Sequence, residues 1–386
     1  MKTERGEIKA SLKIIHLANH VLEIGNGIVN VVIDLACSQA DAGHDVVVAS
    51  AGGEYEAVLA KHGVKHVHLE QKPQLHKLPS MCRKFDELVV REKPDVVHVH
   101  MMTGALIAKI VRLWRSYRIV STVHNEFQRS ARLMGVADIV VAVSAAVEKA
   151  MIRRGIPAAR MRNIENGTID SPRRKQSVER PAVPELVHPN VVTIAGMYRR
   201  KGIAVLMDAF SRIERSKGAH LYLIGDGPDR AEFEQLMLKY AMCDRVHFLG
   251  FQTNAAAFLK QTDIFALASF NDPCPLVISE AREAGCPIVG SSVDGVPQAL
   301  DFGEAGLLVP PGDVGALAGA LDTLLTDSAV RADWADRAKA NLDRLRVSRV
   351  SQDYLAIYEE TIGREPSRIA TSNGRSKTAL AETETV

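Results

Sequence analysis

The chain has 386 residues, 46% of them apolar and 24% charged, with a formal net charge of +2. That length points to more than one domain, and the composition excludes a disordered chain, a collagen-like chain and a coiled-coil rod. The small net charge and the 5% aromatic content argue against nucleic acid as a partner.

Residues 1–13 are polar and mixed in charge, and the apolar run 14–18 is too short for the core of a signal peptide. No stretch approaches the roughly 18 apolar residues that span a bilayer. The five cysteines, Cys37, Cys82, Cys243, Cys274 and Cys286, are odd in number and lack zinc or redox spacing. A reducing cytoplasm is therefore expected, with at most a peripheral attachment to a membrane. Short β-branched runs follow at 12–18, 45–49, 95–99, 118–123 and 138–143, separated by helical patterns. Within residues 105–118, Lys109, Arg112, Arg115 and Arg118 recur every three residues beside Leu106, Ile110, Leu113, Trp114 and Tyr117. This predicts a basic amphipathic helix that rests on an anionic inner-leaflet surface or packs one face on the sheet.

Residues 171–189 hold four prolines (Pro172, Pro181, Pro184, Pro189) and the basic run Arg173-Arg174-Lys175, the composition of an inter-domain linker. The charge divides there. Residues 1–180 hold 27 Lys/Arg against 19 Asp/Glu, a net +8, and residues 181–386 are net −6. A second set of runs follows at 190–195, 220–224, 245–249, 263–267 and 287–289. Several show almost no polar alternation, as expected of strands buried on both faces. The expected fold is therefore α/β, two doubly wound parallel sheets facing a cleft, with ligands beyond the carboxyl ends of the strands. Residues after 364 lack periodicity and are expected to be disordered.

Four loops follow strands. Gly25-Asn26-Gly27 precedes an amphipathic run and suits a closely approaching anion or a simple turn. The loop 196–202 carries three consecutive cations, Arg199, Arg200 and Lys201, before a helix, where cations are locally unfavourable unless an anion is near. Gly225-Asp226-Gly227 is a common turn. The segment 269–281 is the most informative. Pro275 suits a first helical position, leaving the N–H groups of Leu276 and Val277 for an anion. Glu280 lies one turn deeper on the same face, where a carboxylate suits vicinal hydroxyls such as a ribose. Asp272 hangs above, facing a sugar. The alternative is that Asp272 caps the helix and Glu280 is only a favourable first-turn charge.

These pieces resemble the retaining glycosyltransferases of the GT-B fold, specifically the large family 4 of nucleotide-sugar-dependent transferases. The family's Glu-x7-Glu signature is matched by Asp272-x7-Glu280, followed by residues 283–290 and Asp294-Gly295-Val296-Pro297. Glu165-Asn166-Gly167, Lys201-Gly202 and Gly225-Asp226-Gly227-Pro228 also match, and the ordered set spans residues 12–363. The resemblance implies an acceptor-binding domain over 1–180, a donor-binding domain over 181–345, a helix crossing back over 346–363, and a tail over 364–386. It implies transfer from a nucleotide-diphosphate sugar to a saccharide or lipid-linked acceptor, with retained anomeric configuration and no required metal or other cofactor. Lys201 matches the family's phosphate-binding lysine, Gly27 the glycine at the donor phosphate, Glu280 the ribose-binding glutamate, and His124 a histidine beside the transferred sugar. Two positions depart from the pattern. Asp272 stands where the family has glutamate. Met197 stands where many members carry arginine, so that Arg199 or Arg200 is expected to supply the charge. His98 and His100 share one strand face and are read as packed or cleft-lining. The alternatives are a nucleotide-sugar epimerase of the same fold and a non-catalytic nucleotide-sugar-binding relative.

Overall fold

The computed structural model describes residues 11–71, 74–125, 127, 129–175, 182–213 and 218–363. The tail 364–386 and the middle of the linker, 176–181, lie outside the described residues. The first domain is a parallel sheet of β1 (Lys13–Leu17), β2 (Asp45–Ser50), β3 (Lys65–His68), β4 (Val96–Val99), β5 (Arg118–Val123), β6 (Ile139–Ala142) and β7 (Met161–Asn163), in the order β3-β2-β1-β4-β5-β6-β7. The second contains β8 (Asn190–Ile194), β9 (His220–Ile224), β10 (Val246–Gly250), β11 (Ile264–Leu267), β12 (Ile288–Ser291) and β13 (Leu307–Val309), in the order β10-β9-β8-β11-β12-β13. All the pairings are parallel, and each sheet is doubly wound as expected.

The central strands are buried along their whole length, β4, β6 and β11 among them, which is why they carry unbroken apolar runs. The three strands with no matching run in the sequence are β3, β7 and β13, all at sheet edges. Most of their residues are exposed or only partly buried, so a short Lys-His-Val-His or Met-Arg-Asn segment lacks the apolar signal of a central strand, and the Leu-Leu-Val of β13 is only three residues long.

The 105–118 helix is not one element. The helix runs Met102–Val111 and stops, because the chain must turn to place Arg118 beside Asp95 at the start of β5. Tyr117 is buried and donates its hydroxyl to the Ala108 carbonyl at 2.6 Å, closing that turn. The Val347–Ile362 helix carries Val350, Tyr354, Leu355, Ile357 and Tyr358 on one stripe. That stripe packs with Ile14, Val120 and Val141, so the end of the described chain completes the core of the first domain.

Candidate active site

Each sheet reverses its strand order between two neighbouring strands, β1 and β4 in the first, β8 and β11 in the second. The crevice beyond such a switch point is where open α/β sheets bind ligands. The loops after β8 and β11 are the ones carrying Lys201 and Asp272, so topology alone brings those two residues together. Gly202 joins the loops. Its φ is +65°, and a Cβ there would lie 1.8 Å from the Ala268 carbonyl oxygen, so only glycine fits. The Phe270 N–H then donates to the Arg200 carbonyl at 2.8 Å.

Lys201 Nζ donates to Asp272 Oδ2 at 2.6 Å, and Ser269 Oγ donates to the same oxygen at 3.2 Å. Asp272 is 5% exposed, and its N–H is held by Asp294 Oδ2 at 2.8 Å. Asp272 therefore does not cap the helix below it. Pro275 is the N-cap, one residue earlier than expected, and the Leu276–Ala284 helix has no side-chain cap. The Ile278 N–H turns back to the Pro275 carbonyl at 3.1 Å, while Leu276 and Val277 face the cavity. The helix is held from behind by Arg282, whose buried guanidinium donates to the carbonyls of Ala299, Ala338 and Ala340 and to Asp301.

The cavity is about 560 Å³ and has walls from both domains. Gly27, Arg200, Lys201, Asp272, Leu276, Val277 and Glu280 all line it. Gly27 opens the Gly27–Asp41 helix, and a Cβ there would lie 3.6 Å from Leu276 Cδ1, so the two helix starts meet across the cleft. Burial pushes the Glu280 carboxyl above the ordinary carboxylate range, opposed by the nearby Arg174 and Arg173.

Those two arginines are site residues that the sequence reading assigned to a linker. Pro172–Lys175 is instead a helical turn. Arg173 is buried, donates to Asp34 Oδ2 at 2.8 Å and lies 5.9 Å above the Tyr55 ring, and its Nε has no hydrogen-bond partner. Arg174 pairs with Glu283. Both line the cavity.

Of the two candidate replacements for the missing arginine, only Arg200 faces the cleft. Its guanidinium lies 5.6 Å over Phe127 of the first domain and 5.5 Å over Tyr198. Arg199 is not among the cavity-lining residues. It is ion-paired with Glu232 at 2.7 Å on the outer side of the loop. Met197 is fully buried in the second domain's core and does not line the cavity.

His124 follows β5 and is partly buried, and it is not among the cavity-lining residues either. Its Nε2 lies 3.1 Å from His100 Nδ1. Burial lowers its pKa to about 3 and that of His16 to about 4, and lowers His98 and His100 well below the usual range. His98 and His100 are packed inside the first domain rather than along the cavity.

The sequence matches two family models, one on each domain: "Glycosyltransferase Family 4" over residues 25–170 and "Glycosyl transferases group 1" over residues 188–327. The N-acetyl-alpha-D-glucosaminyl L-malate synthase of Bacillus anthracis is 25% identical over 301 residues, 73% of this chain and 79% of the relative. The phosphatidyl-myo-inositol mannosyltransferase of Mycolicibacterium smegmatis is 25% identical over 360 residues, 88% of this chain and 92% of the relative. Among solved structures, Anabaena HepE in complex with UDP-glucose superposes with a TM-score of 0.76 at 22% identity, covering 91% of this chain and 99% of that one.

Proposed function

The chain is a glycosyltransferase of the GT-B fold, and on that premise we propose that it moves a sugar from a nucleotide-diphosphate sugar to a saccharide or lipid-linked acceptor in surface polysaccharide or glycolipid synthesis, with retention at the anomeric carbon. The observation that carries this reading is the Lys201–Asp272 pair, set beside a helix start that has no side-chain cap. Uncapped N–H groups and a held ammonium form an anion site.

The departing nucleotide diphosphate gains charge as the glycosidic bond breaks. Lys201, Arg200 and the N–H groups of Leu276 and Val277 meet that charge, and Gly27 lets the opposite wall approach it. Positioned donors of this kind lower a barrier by about 3 kcal/mol each. Asp272 holds the Lys201 ammonium in place and faces the positive charge that develops on the sugar. Glu280 accepts from the ribose hydroxyls, with Arg173 and Arg174 keeping enough positive potential nearby for it to ionise. His124 takes in this reading the sugar-side role that the resemblance implies, from a position behind the cavity lining. In this reading protein cations and N–H groups carry the neutralising charge, with no metal required. The UDP-glucose bound to HepE and the glycosyl-transfer activities of the curated relatives support a nucleotide-sugar donor.

The test is a screen of nucleotide sugars for thermal stabilisation, since a donor that binds the folded chain raises Tm, followed by transfer assays with the best donor. Stabilisation lost in Lys201→Ala and Glu280→Ala is the expected result. Equal stabilisation of both variants would remove the site assignment. Conversion of donor to an epimer without any acceptor would assign the epimerase alternative instead.

A further inference from the structure

A buried polar chain runs from the C-terminal helix to His124. Tyr358 Oη lies 3.2 Å from Gln39 Nε2, and Gln39 Oε1 lies 2.8 Å from His16 Nε2. His16 Nδ1 is 3.0 Å from His100 Nε2, and His100 Nδ1 is 3.1 Å from His124 Nε2. On the other side, Tyr358 Oη is 2.7 Å from His98 Nδ1, and His98 Nε2 is 2.7 Å from Thr122 Oγ1. Every ring nitrogen of His16, His98 and His100 is therefore engaged. The three rings are close enough to suggest a metal site, but a metal would have to break these contacts to bind.

We propose that Gln39, His16 and His100 form a tautomer relay that fixes His124 with its proton on Nε2, and that Gln39, oriented by Tyr358, sets the direction. A contact between two neutral imidazoles holds one proton, so a choice at one end is copied along the row. The Gln39 amide makes that choice. At 3.2 Å its contact with Tyr358 is long for O–H···O and within range for N–H···O, so the amide nitrogen faces the phenol. The carbonyl then faces His16, which must donate from Nε2. His16 Nδ1 is left to accept, so His100 donates from Nε2 and accepts at Nδ1. His124 must then donate from Nε2, leaving its Nδ1 unprotonated. The other limb follows from the same choice: the Tyr358 oxygen accepts from Gln39, so its proton goes to His98 Nδ1, and His98 donates from Nε2 to Thr122. Burial keeps all four rings neutral, which the relay requires.

The consequence rests on the reading of His124 as the sugar-side histidine. An unprotonated Nδ1 can only accept. It suits a hydroxyl of the transferred sugar and disfavours a carboxylate in that place. Gln39, His16, His100 and Tyr358 are positioning residues that act through His124.

The experiment is ¹⁵N–¹H correlation of the histidine rings in the full-length protein, with His124 assigned by loss of its signals in His124→Asn. The expected His124 spectrum has a pyrrole-like Nε2 and a pyridine-like Nδ1. Gln39→Glu, which still accepts from His16, should keep that pattern. Gln39→Leu, which cannot, should bring in the reversed tautomer. A wild-type His124 protonated on Nδ1, or a Gln39→Leu spectrum identical to wild type, overturns the relay. If Gln39→Leu does not fold, the wild-type and Gln39→Glu spectra decide alone. Transfer assays separate the two readings: His124→Ala with unchanged transfer removes the sugar-side role, while the expected spectrum would still establish the relay.

Discussion

Two helix starts meet across the cleft, and they treat their exposed N–H groups differently. At the Gly27–Asp41 helix the Asn26 side chain accepts from Ile28 N–H at 3.0 Å, so the chain caps itself. At the Leu276–Ala284 helix no side chain does so, and Asp272, which stands where a cap could be, is committed to Lys201 instead. The same contrast runs deeper. The second domain's wall carries ions, Lys201 and Asp272, and behind it lie two more, Arg282 and Asp301. Behind the first domain's wall lies a row of neutral rings, His16, His98 and His100. A wall that must respond to charge leaving a sugar is built from charges. Around His124 the first domain supplies uncharged donors and acceptors, and its ions, Arg173 paired with Asp34 and Arg174 paired with Glu283, lie apart from that row, beside Glu280.

The largest expected effect breaks the charged side. Lys201→Met removes a donor aimed at the leaving diphosphate and should lower kcat by about 10²–10³-fold. It also strands a buried carboxylate, so Tm should fall as well, with up to about 3 kcal/mol of stability lost. Adding Asp272→Asn should return most of the stability and none of the activity. If the double variant stays as unstable as Lys201→Met, Asp272 is not the group left uncompensated, and the contrast between the walls is drawn in the wrong place.

The neutral side should fail in acid. A histidine whose folded pKa lies below its unfolded value binds protons more tightly in the unfolded chain, so stability rises with pH through the interval between them. For His16 that interval runs from about 4 to 6.5. Stability is complete above it and is lost as pH falls through it, on the order of 3 kcal/mol for this one ring. Urea unfolding of wild type and of His16→Gln between these pH values measures the loss. Equal slopes against pH in the two proteins would show that the row is not what the first domain protects.

Much of this division was legible in the sequence, for a physical reason. Lys201 and Asp272 sit in loops that follow central strands, Leu276 and Glu280 sit on the helix that the second loop opens, and a strand buried on both faces announces itself as an apolar run. Once β8 and β11 were visible, their loops were visible too. What was not legible had no such marker. Arg173 and Arg174 lie among prolines that read as a linker, and only the packing of Arg173 on Asp34 brings them to the cleft. The choice between Arg199 and Arg200 depended on which side of the short turn Arg199–Lys201 faces Glu232, a matter of side-chain direction and not of spacing. Gln39 carries no sequence signal beyond its place in the Gly27–Asp41 helix. Its role depends on Tyr358, 319 residues away. The edge strands β3 and β7 were missed because a partly exposed strand needs no apolar run, and β13 because its apolar Leu-Leu-Val run is only three residues long.

Glu280 sharpens the comparison from inside the charged wall. Its carboxyl is raised by burial, so in the folded chain ionisation is unfavourable, and stability falls as pH rises through the interval above the ordinary carboxylate range. Glu280→Gln should therefore be more stable than wild type at neutral pH, with the advantage shrinking in acid, where Glu280 is protonated. The same variant should bind donor more weakly by about 2 kcal/mol, the scale of hydrogen bonds to a charged group. Calorimetric titration and thermal melts on one sample test both signs. A variant that loses stability at neutral pH would mean that Arg173 and Arg174 more than offset the cost of burying the carboxylate.

The smallest effect concerns the net +8 of residues 1–180. Part of it is now placed, because Arg173 and Arg174 lie at the cleft. More is neutralised on the outer face: Arg112 donates to Asp138 at 2.6 Å, and Arg115 makes two contacts to Asp86 at 2.6 and 2.9 Å. That leaves Lys109 and Arg118, both exposed, as the cations of this stretch that can act on a lipid surface. Leu113 and Trp114 sit beside them, 77% and 54% exposed, on the turn that ends the Met102–Val111 helix. No described helix is long and apolar enough to cross a membrane. At about 1 kcal/mol per cation near an anionic leaflet, two cations give a preference for anionic over neutral vesicles of roughly 10- to 30-fold. The four cations spaced along the sequence would have given far more. Vesicle flotation of wild type and of Leu113→Ser/Trp114→Ser, at two ionic strengths, measures it. Binding that ignores both lipid charge and salt would mean that the basic half owes its charge to the acceptor and not to a membrane.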